Sequence, residues 1–127
     1  MQKVLLNVLI LIIGIIVGML VNAAFIKLGT LLIPLPEGVD SMNAENWKYS
    51  YFIFPFLAHA IGTFSGAFFV AKLARSHQFI LAQIIGVFFL AAGIFMVFII
   101  PAPLWFVIAD LGLAYITMSM LAAKIAR

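Results

Sequence analysis

The sequence predicts an all-α integral membrane protein, with four transmembrane helices in an antiparallel bundle and the N- and C-termini cytoplasmic. Three observations carry this. Apolar residues make up 67% of the chain and charged residues only 9%, whereas about a quarter of a soluble domain is charged. A soluble fold of 127 residues has too little interior to hide so much apolar surface, and the mean hydropathy is +1.30. The apolar residues also fall into four runs, each near the roughly 20 residues that cross about 30 Å of hydrocarbon. Helix is the conformation these runs must take, because a spanning strand would alternate apolar and polar residues.

The first span covers about 4–26, VLLNVLILIIGIIVGMLVNAAFI. Val21-Asn22-Ala23 resembles a signal cleavage site, but the apolar run exceeds the roughly 7–15 residues of a signal peptide, so an uncleaved span is expected. An outer loop, 29–53, follows. Its LLIPLPEGVD segment holds two prolines and a glycine and reads as irregular chain. Asp40 or Ser41 is placed to cap a short helix over Met42 to Trp47, with Trp47 turned toward lipid.

The second span covers about 54–72 and opens with Pro55 in its first turn, where the missing N–H costs nothing. The short turn ARSHQ leads to the third span, about 79–100. Pro101 and Pro103 mark a tight turn before the fourth span, about 104–123. Trp47, Tyr49, Tyr51 and Trp105 fall where an interfacial aromatic belt is expected. The chain, 1–127, reads as a single transmembrane domain without an internal repeat.

Orientation follows from the basic residues. Lys3, Lys72, Arg75, Lys124 and Arg127 belong to one side, and Lys27 and Lys48 to the other. Five against two puts the termini in the cytoplasm and argues against dual topology. Glu37, Asp40 and Glu45 join the outer side.

Helices associate in lipid through close packing and interhelical hydrogen bonds. Gly14 and Gly18 form a GxxxG spacing in the first span, and Gly62 and Gly66 another in the second. Ala82 and Gly86 extend the pattern into the third, with Gly93 one heptad beyond. These glycines read first as packing faces within the bundle. The alternative is a dimer or a contact with another membrane protein.

Asp110 is the only acid inside an expected span. It lies about 10 Å below the outer boundary, His59 lies about 7–12 Å below it, and Asn22 is at a similar depth. His59, Thr63 and Gly66 share one helical face, and Asp110, Ala114 and Thr117 another. A buried ionisable group in a membrane is a candidate functional site. His59, Asp110, Asn22 and Thr63 therefore form the candidate polar site. A His59–Asp110 pair would titrate as a unit, and it would equally fix helix register. Asn7 and Gln83 form a second polar level near the cytoplasmic side and are expected to make interhelical hydrogen bonds.

Other chemistries lack their residues. There is no cysteine, which removes disulfides, iron–sulfur clusters and thiolate sites. His59 and His77 lie at opposite ends of one span, so the chain cannot offer bis-histidine haem ligation. His59 and Asp110 supply two zinc ligands where three or four are needed. No lysine lies mid-membrane for a retinal-type attachment, and GTFSG lacks the lysine of a phosphate loop. Ser65 and His59, six residues apart, face different ways. No catalytic residue, metal or cofactor is expected. The charge of +3 suits lipid headgroups rather than nucleic acid. The expected partners are the lipid bilayer and, through the glycine faces, a homo-oligomer or larger membrane complex.

FPFLAHAIGTFSGA, PLPEGVD and PAPLWF with the following ADL resemble a group of small, uncharacterised four-span bacterial membrane proteins of unknown function. The resemblance covers most of the chain. It implies four helices and a multi-pass location in a bacterial inner membrane, and it transfers no activity. Small multidrug transporters carry a first-span glutamate and fluoride channels an early first-span arginine; this chain has neither.

Three functions are compatible with these features. The first is an accessory or interaction subunit without its own catalysis. The second is an oligomeric proton-linked transporter or channel using the His/Asp pair, which requires a cavity reaching that pair from the outer side. The third is a membrane enzyme acting on a lipid or quinone, which requires Glu37, Asp40 and Glu45 to converge over the same pocket.

Overall fold

Runs of leucine, isoleucine, valine, alanine and phenylalanine, with no proline beyond a first turn, form the whole architecture. The computed structural model describes residues 1–127 and contains no strand. Its helices are α1 (Gln2–Leu32), α2 (Ile53–Leu73), α3 (Gln78–Ile99), α4 (Leu104–Leu113) and α5 (Ile116–Ile125), with a 3₁₀ turn at Tyr49–Phe52. α4 and α5 form one interrupted rod, giving four helices long and apolar enough to cross a membrane.

α1 runs past its expected end near 26 to Leu32. Lys27 and Thr30 do not break a helix, and the Thr30 hydroxyl donates to the Lys27 carbonyl at 2.7 Å. The helix stops where Pro34 forces its predecessor out of helical geometry; Ile33 has φ −133° and ψ 70°. The loop expected at 29–53 is thereby shortened at both ends.

No helix forms over 42–47. The Asp40 carboxylate accepts from the Met42 amide at 2.9 Å, and the Asn43 side chain accepts from the Glu45 amide at 3.1 Å. These local side-chain turns compete with helix for the same backbone groups. Trp47 folds inward rather than out: it packs on Phe52 at 5.4 Å, and its indole N–H donates to the Asp40 carbonyl at 3.3 Å. The buried Ala44 donates its amide to the Pro101 carbonyl at 2.7 Å. Phe52 also contacts Trp105 and Phe106, with centroids 5.1 and 4.5 Å away. The loop is thus pinned over the turn between α3 and α4.

The fourth rod is not continuous. It breaks at Ala114 and Tyr115, where Tyr115 has φ −112° and ψ −79°. The Gly112 carbonyl accepts from the Thr117 hydroxyl at 3.2 Å. Thr117 is therefore exposed and does not share the inward face of Asp110 and Ala114, while Tyr115 and Ser119 turn inward. The break re-aims every side chain after it.

α2 is central and packs against α1, α3 and α5. Gly14 meets Gly66 and Gly18 meets Gly62 so closely that a Cβ built on Gly66 would lie 2.6 Å from the Gly14 carbonyl oxygen. The same test on Gly62 gives 2.9 Å to the Gly18 carbonyl oxygen. Gly86 makes room for Ser119, and Gly93 for Tyr115. All six glycines are used inside the chain. Towards the termini the interior is dense with small residues, including Ala67, Ala82 and Ala122, packed around Val70 and Ile85.

Two polar devices close that end. The Asn7 side chain accepts from the Arg75 amide at 2.8 Å and donates to the Ser76 hydroxyl at 3.0 Å, clamping the turn between α2 and α3. The Ser119 hydroxyl donates to Gln83 Oε1 at 2.8 Å. Asn7 and Gln83 each find a partner in a different element, not in each other.

Candidate functional site

His59 is held in the second turn of α2, just after Pro55 starts the helix. Asp110 lies near the end of α4 and is only 6% exposed. His59 Nδ1 is 2.7 Å from Asp110 Oδ1. The Tyr115 hydroxyl donates to Asp110 Oδ2 at 3.0 Å. Its ring also stacks on the imidazole, with centroids 5.8 Å apart and planes at 27°. Both carboxylate oxygens are thus occupied, and a buried carboxylate requires such partners.

A single continuous helix over 104–123 gives Tyr115 no place at the carboxylate. At about 100° per residue, position i+5 from Asp110 points well away from it. The break after Leu113 rotates Tyr115 beneath the carboxylate. Gly112, the one glycine in that span, is the available signal for the interruption.

Thr63 follows His59 by one turn, and only 1% of it is exposed. Its hydroxyl has no hydrogen-bond partner. Asn22 lies against Gly62 but forms no hydrogen bond to His59 or Asp110. The four residues expected at one level therefore divide: His59 and Asp110 bond directly, while Thr63 and Asn22 sit beside them.

All four border one chamber of about 850 Å³, within the roughly 300–1,000 Å³ of small-molecule sites. Its wall is mainly apolar, with Phe54, Phe89, Met96 and Val107 among the larger residues, and Ser41, Ala44 and Trp47 contribute from the loop. No lysine or arginine lines it, and neither do Glu37, Asp40 or Glu45. Those three acids are exposed. The chamber occupies the loop-side half of the bundle, and the small-residue core fills the other half. No group of three or more histidine, aspartate or glutamate side chains converges anywhere.

Fold and site define an all-helical chain with four potential spans and one apolar chamber walled by a His–Asp–Tyr cluster. No family model matches the chain, and no curated protein or solved structure matches it significantly.

Proposed function

We propose that this chain is a bacterial inner-membrane protein whose outer-half chamber binds an apolar small molecule beside the His59–Asp110–Tyr115 cluster. The four helices form an antiparallel bundle with both termini cytoplasmic, a reading supported by the opposed order of the Gly14–Gly66 and Gly18–Gly62 contacts and by the basic residues near the termini. The chamber carries the proposal: an apolar cavity with a few convergent polar groups is the common form of a ligand site. An accessory subunit would need a free docking face, and the glycine faces are already used within the chain. The closed small-residue core favours a binding site over an open pore. The His59–Asp110 contact favours a second reading, a proton-linked carrier held in its outward-facing state.

Photolabelling tests the binding site. The protein in lipid nanodiscs is exposed to a diazirine-bearing alkane, and labelled residues are mapped by peptide mass spectrometry. Saturable labelling of Phe54, Phe89 and Met96 is expected, and Ala92→Trp, which fills the chamber, should abolish it. Labelling that never saturates and ignores Ala92→Trp would reduce the chamber to a lipid-filled gap.

A further inference from the structure

Polar groups without partners on one face of α2, beside the Asn22 amide of α1 that also borders the chamber, point to the chemistry of the ligand's head. Asp110 has both oxygens engaged, by His59 Nδ1 and by the Tyr115 hydroxyl. With Asp110 as an acceptor-only carboxylate, that geometry requires the imidazole proton on Nδ1. In the neutral imidazole, His59 Nε2 is then an acceptor. It has no partner in the protein, on a side chain 30% exposed that borders the chamber. The Thr63 hydroxyl lies one turn further along the same face, about 6 Å along the axis. Thr63 also borders the chamber, and its buried hydroxyl has no partner. One helical face thus leaves an acceptor and a hydroxyl unpaired beside the same chamber.

Charged heads fit poorly. A carboxylate or phosphate would find no lysine or arginine in the chamber and would lie beside Asp110. An ammonium group would find the only acid buried behind two donors. An ether or ketone can accept from Thr63 but has nothing to donate to Nε2. A hydroxyl does both, donating to His59 Nε2 and accepting from Thr63.

Resting on the chamber's role as a ligand site, we infer that its ligand is an uncharged apolar molecule ending in a hydroxyl, either an aliphatic alcohol or a phenol. The hydroxyl lies between His59 Nε2 and Thr63, and the hydrocarbon body fills the aromatic chamber. Binding removes two unpaired polar groups at once, and such unpaired groups discriminate strongly between a ligand with the matching group and one without it.

The test is competition against the diazirine-bearing alkane in nanodiscs. Farnesol is compared with farnesyl methyl ether, farnesylamine and farnesoic acid, and 4-nonylphenol with 4-nonylanisole. Farnesol, 4-nonylphenol or both should displace the probe about tenfold better than the matched ether, and the two arms separate aliphatic from phenolic ligands. Thr63→Val removes a hydroxyl that has no partner in the protein, so the fold should persist, as thermal unfolding will report. It should weaken the alcohol and the matched ether alike, because both accept from Thr63, while the preference for the alcohol, set by donation to His59 Nε2, persists. If ethers and alcohols compete equally, the chamber binds apolar molecules but does not read a hydroxyl, and this inference fails alone. Stronger competition by the amine or acid would replace it with a charged head. If no compound displaces the probe, the ligand site itself is lost.

Discussion

His59 Nδ1 lies 2.7 Å from Asp110 Oδ1, joining α2 to α4 across the wall of the chamber. Tyr115, beyond the helix break, holds the second carboxylate oxygen at 3.0 Å. Removing either donor leaves a buried acceptor unsatisfied, at a cost of about 1–3 kcal/mol. His59→Phe and Tyr115→Phe should each destabilise the fold by that amount in denaturant unfolding in detergent. Asp110→Leu combined with His59→Phe should cost less than the sum of the two single changes, because neither partner is then orphaned. Strict additivity would mean that the pair contributes nothing to stability.

The glycine contacts predict opposite outcomes at two positions. A Cβ on Gly66 would lie 2.6 Å from a backbone oxygen of Gly14, which cannot rotate aside, whereas a Cβ on Gly112 meets nothing within 4 Å. Gly66→Ala should destabilise the chain by about 1–3 kcal/mol through overpacking. Gly112→Ala should be neutral or stabilising by up to about 1 kcal/mol. Thermal unfolding of both variants in one detergent checks the contrast, and equal effects would refute it.

At the other end of the bundle, Gln83 already has an unpartnered Nε2, and its Oε1 depends on Ser119. Ser119→Ala should cost about 1–3 kcal/mol, since it orphans the remaining amide group. Adding Gln83→Leu should recover much of the loss. A double variant no more stable than Ser119→Ala would show that packing at Gly86, not hydrogen bonding, sets the cost.

Because the natural chain has no cysteine, single cysteines report orientation cleanly. In intact cells, Ser41→Cys in the loop should react with an impermeant maleimide, while Ser76→Cys should react only after the membrane is opened. The reverse pattern would invert the orientation drawn from the basic residues.

Much of this arrangement was legible in residue order. Four apolar runs became four helices long and apolar enough to cross a membrane, because hydrocarbon thickness sets the length of such runs. Depth along each helix brought His59 and Asp110 to one level, since helical rise is constant. Helix ends depended on finer chemistry: Pro34, not Lys27, stops α1, and the side chains of Asp40 and Asn43 divert their segment from helix. Tyr115 was illegible because its role depends on a break with no proline to announce it. The chamber was illegible too. It arises between elements far apart in the sequence, under a loop pinned by Ala44 and Phe52, and no periodicity records that arrangement.

Whether a molecule occupies the chamber separates a ligand site from an empty gap. Native mass spectrometry of protein released from nanodiscs measures this, comparing the natural chain with Ala92→Trp. A ligand site requires one small molecule retained by the natural chain and absent from the filled variant. The same set of bound lipids on both proteins would contradict it.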